Sequence, residues 1–211
     1  IQRSRGLGDV YKRQNSKRAS APAQINIPRD MWTQVIDIDL PAIVEFERPS
    51  GGDNAISEAA EMLSSSKNPI ILNGAGVVLS EGAIDASKAL AERLDAAVCV
   101  GYQHNDAFPG SHPLFAGPLG YNGSKAAMEL IKDADVVLCL GTRLNPFSTL
   151  PGYGIDYWPK DAKIIQVDIN PDRIGLTKKV SVGIIGDASL VASKILSKLS
   201  DTAGDFNRTE R

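Results

Sequence analysis

The pattern of apolar positions changes along the chain and predicts alternating helices and strands after residue 53. Segments with apolar residues every three or four positions are typical of amphipathic helices. Between them lie short continuous apolar runs, which predict strands buried on both faces. Five such runs occur: PIILNGAG (69–76), AAVCV (96–100), DVVLCLG (135–141), KIIQVDI (163–169) and VSVGIIG (180–186). The alternation predicts an α/β domain, a doubly wound and mostly parallel sheet with helices on both faces.

The predicted helices span 53–66, 80–94, a short segment after Ser124, and 187–199. Ser80, Ser124 and Asp187 precede helical patterns and carry side-chain oxygens suited to N-caps. The earlier segment APAQINIPRDMW (21–32) predicts a short alternating strand followed by a polar turn.

Composition divides the chain further. Residues 1–14 carry four basic residues and one acid without an apolar period, and we interpret them as a non-native, adapter-like leader. Residues 35–52 are extended, punctuated by proline and acidic, which predicts a linker. Residues 53–200 form the predicted central domain, and 201–211 a polar tail.

Charge and hydropathy narrow the function classes. The net charge of −2 offers no basic surface for nucleic acid, and no apolar run approaches the roughly 20 residues of a membrane helix. Both cysteines, Cys99 and Cys139, lie inside apolar runs, which predicts buried strand residues rather than a disulfide or metal site. We expect a cytoplasmic protein.

The segment from Gly101 to Gly123 interrupts the alternation. It contains five glycines, three prolines and both histidines, His104 and His112, and shows neither a helical nor a strand period. Neither histidine has a partner at metal-ligand spacing. We expect a long connection without regular structure, and long connections in compact domains are usually functional.

Ligands of parallel sheets bind outside the carboxyl ends of the strands. The turn 73–76 (NGAG) could bring backbone N–H groups close to a phosphate. Leu79, however, occupies the position of the third glycine of a dinucleotide fingerprint, and no acid follows the second strand. A tight turn without a ligand explains the glycines equally well.

Two other strand ends carry polar groups. Thr142, Arg143 and Asn145 follow the third apolar run, and arginine suits phosphate or carboxylate. Asp168 and Asn170 follow the fourth, where Asp168 could accept from a ribose hydroxyl or Asn170 could begin an Asx turn. At Asp187 a helix cap is the favoured interpretation.

The residues resemble one enzyme family more closely than their spacing alone reveals. The runs HNDAFPGSHPL (104–114), DYWPKDAKIIQVD (156–168) and KKVSVGIIGDA (178–188) resemble the central domain of thiamine-diphosphate-dependent enzymes. Within that family the resemblance is closest to an acetyltransferase that acts on sulfoacetaldehyde and phosphate. By the same resemblance, 15–34 is the end of a pyrimidine-binding domain that precedes the central domain.

The resemblance implies an enzyme of three α/β domains that works as a dimer or tetramer. Thiamine diphosphate and Mg²⁺ would bind between the first domain of one subunit and the third domain of its partner. We therefore expect no catalytic and no metal-binding residue in this chain, and no activity from it alone.

Some relatives bind FAD or ADP in a cleft of the central domain, which the long connection borders. Carried over by position, the cofactor-binding residues of this cleft would be Gly74, Ala75, Gly76, Leu119, Gly120, Thr142, Arg143, Asp168 and Asn170. Tyr121-Asn122 replaces the Met-His pair of acetolactate synthases, which argues against FAD. Two alternatives stay open: an acetolactate-synthase-like carboligase, distinguished by flavin binding, and a stand-alone nucleotide-binding module.

Overall fold

A computed structural model describes residues 12, 16, 21–24, 26–35, 37 and 47–201. The chain divides into two compact units, residues 1–48 and 49–211. The predicted leader, linker and tail lie mostly outside the described residues. The described residues of 21–28 form no strand, so the strand predicted there is wrong. The polar turn predicted after Pro28 is present as the 3₁₀ turn Arg29–Met31. A strand needs a hydrogen-bonding neighbour, which local alternation cannot supply.

The second unit is built around a parallel sheet. Its strands are β1 Pro69–Asn73, β2 Ala97–Val100, β3 Phe115–Pro118, β4 Val136–Leu140, β5 Lys163–Asp168 and β6 Val182–Ile185. Its helices are α1 Asp53–Ser65, α2 Ala75–Val78, α3 Ala83–Leu94, α4 Lys125–Lys132, α5 Pro146–Thr149 and α6 Ala188–Lys198. The strand order is β3-β2-β1-β4-β5-β6, and each described pairing is parallel. This order reverses direction between β1 and β4, the place where doubly wound sheets bind ligands.

Alternate strand residues face two separate cores. Ile71 belongs to a core shared with α1, α3 and α6, whereas its neighbours Ile70 and Leu72 pack with α4 on the opposite face. Because both faces of the central strands are covered, these strands are largely apolar, as their sequences predicted. The last strand, β6, instead alternates buried and exposed residues, so burial on both of its faces was predicted wrongly. The predicted doubly wound fold with helices on both faces is therefore confirmed.

The long connection contains a strand that the sequence analysis missed. Phe115–Pro118 forms β3, a parallel edge strand beside β2, so the prediction that this segment lacks regular structure is wrong. The register between β2 and β3 shifts between Val98 and Cys99, as at a β-bulge. β3 exists because β2 offers backbone partners rather than because its own residues favour a strand.

Two of the three predicted N-caps are confirmed. Ser124 accepts from the N–H of Ala127 in α4, and Asp187 accepts from the first N–H groups of α6. Ser80 is not a cap, because α3 begins after Gly82. The Ser80 hydroxyl instead donates to the Asp187 carboxylate at 2.6 Å, so it joins two helix starts that are far apart in sequence.

A carboxylate joins two segments at the end of the sheet where the parallel strands begin, called here the amino edge; the end where the strands finish is the carboxyl edge. Asp135 accepts from the Ser66 hydroxyl and from the N–H groups of Lys67 (2.7 Å) and Asn68 (2.9 Å). Burial opposes ionisation of Asp135, but these hydrogen bonds outweigh it and lower the pKa of the carboxyl group. The end of α1 is thereby attached to the start of β4.

At the opposite edge, the loop after β3 packs backbone to backbone on α5. Gly120 has a φ of +83°, and a Cβ built there would lie 1.9 Å from the carbonyl oxygen of Phe147. The N–H of Tyr121 donates to that same oxygen at 2.8 Å. No residue with a side chain fits this contact without displacing α5.

We expect Asp135→Asn to lower the free energy of unfolding by about 1 kcal/mol at pH 7, because charge-assisted hydrogen bonds are lost at a partly exposed site. A lowered pKa stabilises the fold above the unfolded-state value of about 3.9, and this contribution disappears as the pH falls. The difference from the native chain should therefore shrink in urea denaturation near pH 3. Asp133→Asn, at an exposed neighbouring carboxyl, should change stability by less than about 0.5 kcal/mol. Equal losses in both variants would contradict this role for Asp135.

Gly120→Ala should destabilise the domain far more than Gly154→Ala. Both glycines have positive φ (+83° and +74°), so both substitutions incur backbone strain of about 1 kcal/mol. Only Gly120 has a neighbour in the way, since nothing lies within 4 Å of a Cβ at Gly154. We expect a loss above about 3 kcal/mol for Gly120→Ala in denaturant unfolding. Similar losses would show that contact with α5 is unimportant.

Candidate functional site

The turns that follow β1 and β4 touch at the carboxyl edge of the sheet. A Cβ on Gly76 would lie 2.6 Å from the Cα of Gly141, and a Cβ on Gly74 would lie 2.5 Å from the Cβ of Thr142. Glycine is required because the two backbones are in direct contact. Of the predicted site residues, the structure thus brings Gly74, Gly76 and Thr142 together.

This contact also occupies two of the backbone donors that were considered for phosphate. The N–H of Gly74 donates to the Leu140 oxygen at 3.0 Å, and the N–H of Gly76 donates to the Gly141 oxygen at 2.8 Å. The helix that starts here, α2, has only four residues and supplies little dipole. A packed joint between turns accounts for both glycines.

The segment after β4 is bent around Thr142. The Thr142 hydroxyl accepts from the N–H of Leu144 at 3.2 Å, and Leu144 is buried with a φ of +53°. Arg143, between them, is exposed. Asn145 is the N-cap of α5 and accepts from the N–H of Ser148, so its amide oxygen serves the helix.

Asp168 ends β5 and is 4% exposed. Its carboxylate accepts from the N–H of Asn170 at 2.9 Å, and Asn170 in turn accepts from the N–H of Asp172 at 3.0 Å, the predicted Asx turn. Burial raises the pKa of Asp168, and it outweighs the opposing effects of the Asn170 hydrogen bond and of the Arg173 and Arg143 guanidinium groups. Arg143 and Asp168, predicted separately, are therefore electrostatic neighbours.

Gln166 is a site residue that sequence reasoning missed. It is 1% exposed in β5, and its side-chain nitrogen donates to the Thr142 and Arg173 oxygens, each at 3.1 Å. Its oxygen accepts from the N–H of Gly175 at 2.8 Å. The available signal was one amide inside the apolar run KIIQVDI.

Asn73, also buried, has a comparable role at the end of β1. Its amide nitrogen donates to the Ser87 hydroxyl at 2.8 Å and to the Ala107 oxygen at 3.0 Å. It thereby fixes α3 and the connection after β2. In the sequence, Asn73 stands in the glycine turn NGAG, where no local pattern indicates this role.

The rest of the predicted site lies on the β3 side of the edge. Leu119 is buried and donates to the Val100 oxygen, while Gly120 contacts α5 as described above. Three aromatic side chains meet nearby: Tyr102, in the loop after β2, contacts Tyr121, in the loop after β3, and Phe147 of α5, with ring centroids 6.0 and 6.2 Å apart. The contacts of Leu119 and Gly120 are thus with β2 and α5.

His112 packs the long connection against α3. One ring nitrogen lies 3.1 Å from a Glu92 carboxylate oxygen, and the other accepts from the N–H of Leu114 at 3.2 Å. The ring also meets Phe108 edge to face. Among the described residues, no three His, Cys, Asp or Glu side chains are grouped to hold a metal ion.

The two cysteines are buried and free, as predicted. Burial raises the pKa of the Cys99 thiol to about 12 and that of Cys139 further still. Neither thiol is therefore suited to act as a nucleophile near neutral pH.

We expect Asp168→Asn to keep or increase stability at pH 7, the opposite of Asp135→Asn. An acid with a raised pKa stabilises the fold only below its unfolded-state value, and that contribution is lost as the pH rises through the folded value. The asparagine oxygen can still accept from Asn170, whereas Asp168→Ala removes the acceptor and should cost about 1 kcal/mol. Urea unfolding at pH 4 and pH 7 measures both. A larger loss for Asp168→Asn at pH 7 than at pH 4 would contradict the raised pKa.

Comparison with known proteins extends these observations. Residues 56–195 match the family described as thiamine pyrophosphate enzyme, central domain. The sulfoacetaldehyde acetyltransferase of Roseovarius nubinhibens is 77% identical over 197 residues, which cover 93% of this chain and 32% of that protein. The enzyme of the same name from Rhodobacter capsulatus is 69% identical, over 93% of this chain and 33% of that protein. The chain therefore spans about a third of the length of these relatives.

More distant proteins share the fold. A probable acetolactate synthase large subunit from Methanocaldococcus jannaschii is 35% identical over 84% of this chain and 31% of that protein. The crystal structure of benzoylformate decarboxylase from Polynucleobacter necessarius superposes with a TM-score of 0.71 at 22% identity, over 96% of this chain and 39% of that one. This last likeness concerns the fold alone. Since the family match covers most of the chain, the protein belongs to the thiamine pyrophosphate enzyme family, of which this chain contains the central domain.

Proposed function

We propose that this chain is the central domain of a thiamine-diphosphate-dependent sulfoacetaldehyde acetyltransferase. The full-length enzyme would convert sulfoacetaldehyde and phosphate to acetyl phosphate and sulfite. The observation that supports this most strongly is the 77% identity to a relative of that name, against 35% to an acetolactate synthase. The same comparison makes the acetolactate-synthase-like carboligase the weaker alternative.

Thiamine diphosphate, when it is bound, would supply the carbanion chemistry that this reaction requires. The described residues do not fit a Mg²⁺ site, since they group no three metal-ligating side chains and the strand-end carboxylate of Asp168 accepts from Asn170. Thiamine diphosphate would bind together with that ion. We therefore assign both cofactors to regions outside this chain. The central domain would support and orient those regions, and alone it would be inactive.

The nine residues predicted to line the central cleft remain a proposal for this enzyme. They fall into the turns around Gly74 and Thr142, the end of β5 at Asp168, and the loop at Leu119. FAD or ADP bound there would meet the Arg143 guanidinium but not free N–H groups at Gly74 and Gly76. Because the N–H groups of Gly74 and Gly76 are already bonded within the domain, they are not available to FAD. This favours the acetyltransferase, for which FAD is not expected, over the carboligase.

We further propose a cytoplasmic enzyme that acts on a small molecule and assembles as a dimer or tetramer. Partners of the nucleic-acid class are disfavoured by the net charge of −2. Within the described residues, no helix is both long and apolar enough to cross a membrane. The second alternative, a stand-alone nucleotide-binding module, would require ADP binding without any acyl transfer.

Recovery and expression of the full coding sequence provides the direct test. We expect sulfite release from sulfoacetaldehyde that depends on phosphate, thiamine diphosphate and Mg²⁺, and none from the 211-residue chain alone. Pyruvate serves as the control substrate. Acetolactate formation from pyruvate with bound flavin would instead establish the carboligase, and ADP binding without either reaction would establish the module.

A chimera tests the role of the central domain itself. Residues 56–195 of this chain would replace the matching segment of the Roseovarius nubinhibens enzyme, with the native relative as control. Retained sulfite release is expected because the exchanged segment preserves fold and contacts. Loss of activity in a chimera that is folded and of native oligomeric state would contradict the proposed equivalence.

A further inference from the structure

Gln166 joins the loop after β4 to the loop after β5 through hydrogen bonds of its side chain. Its amide donates to Thr142 in the loop after β4 and to Arg173 in the loop after β5, and it accepts from Gly175. Both N–H groups of the amide are thus used, in a position that is 1% exposed. Replacing this side chain leaves three backbone groups without their partner.

The loop after β5 depends on such ties because it lacks an α-helix. Between β5 and β6 the chain forms only the 3₁₀ turn Pro171–Arg173. A second tie comes from Thr177, whose hydroxyl donates to the Leu144 oxygen at 2.7 Å. Ile174 packs on Gly183, where a Cβ would come within 2.6 Å of its side chain. The loop is therefore held by a few polar and steric contacts instead of by a helical face.

These hydrogen bonds determine where the backbone places Arg143 and Arg173, whose guanidinium groups oppose the rise in the pKa of Asp168. Arg143 directly follows Thr142, and Arg173 contributes one of the oxygens that Gln166 binds. Both guanidinium groups act electrostatically on the Asp168 carboxylate, two positions from Gln166 along the same strand and on the same face of the sheet. A substitution at Gln166 that displaced these arginines would change the pKa of Asp168.

We propose that Gln166 is a positioning residue that holds the loops after β4 and β5 together and thereby sets where the backbone places Arg143 and Arg173 near the end of β5. The relevance to a ligand rests on the proposed cleft. A phosphate-bearing ligand there would meet guanidinium groups whose positions are set by a side chain that does not itself touch it.

Gln166→Met tests this, because methionine has similar length but neither donates nor accepts in the required geometry. NMR titration should show a higher pKa for Asp168 in this variant, as in Arg143→Met and Arg173→Met, because guanidinium groups are displaced from the carboxylate. Hydrogen exchange at the Gly175 N–H should accelerate on the order of tenfold. Thr177→Val, which removes only the second tie, should change both in the same direction but less.

Asp135→Asn is the matched control, since it destabilises the amino edge of the same sheet. It should accelerate exchange at Lys67 and Asn68 and leave the Asp168 titration unchanged. An unchanged Asp168 pKa in Gln166→Met, or an equal rise in Asp135→Asn, would overturn the proposal. If Gln166→Met does not fold, Thr177→Val decides the question by the same two readouts.

Titration with ADP separates this proposal from that of the cleft. In the full-length protein, Gln166→Met should weaken ADP binding on the order of tenfold, as expected when one guanidinium contact is misplaced. If the native protein binds no ADP, the nucleotide cleft is refuted. The Asp168 and Gly175 measurements would then still confirm or overturn the positioning role of Gln166.

Discussion

The direct backbone contact between Gly76 and Gly141 is the constraint on which the carboxyl edge depends. It lies where the strand order reverses, and it brings the turns after β1 and β4 as close as two main chains can come. Because the Gly76 N–H donates across this contact, the turns are bonded as well as packed. The positions of Thr142 and Arg143 follow, since they continue the chain directly from Gly141.

Two buried side-chain amides, those of Asn73 and Gln166, connect the turns at this contact to neighbouring segments. Asn73 ties the β1 turn to α3 and to the long connection, and Gln166 ties the β4 turn to the loop after β5. A buried amide in an apolar strand is costly unless each of its groups finds a partner. The amide of Gln166 is satisfied by backbone groups of loops, whereas that of Asn73 is satisfied by the Ser87 hydroxyl of α3 and the backbone oxygen of Ala107. In both cases the cost of burial is offset by order in the segments that the amide joins.

The sequence predicted those parts of the fold that local pattern determines. The five strands other than β3, the four longer helices and the caps at Ser124 and Asp187 follow from periodicity and side-chain chemistry, whereas the four-residue helices α2 and α5 were not predicted. β3 could not be predicted, because its four residues become a strand only through the register offered by β2. Ser80 was predicted as a cap because it precedes a helical pattern. Its actual partner, Asp187, is 107 positions away and cannot be found from the local sequence. Of the candidate site, Arg143 and Asp168 were found by their place at strand ends. Gln166 was missed because its role depends on loops that meet only in the folded chain.

The two edges of the sheet differ in a way that favours function at one of them. At the amino edge, Asp135 has hydrogen bonds that make its ionised form favourable. At the carboxyl edge, burial opposes the charge of Asp168, and three of the four described non-glycine residues with positive φ, Asn122, Leu144 and Tyr153, lie in the surrounding loops. The fourth, Asp95, precedes β2 at the amino edge. Natural sequences depart from local preference mainly at functional sites. The departures in this domain are concentrated at the end of the sheet where the family's doubly wound architecture places ligands, and stability alone gives no reason for that asymmetry.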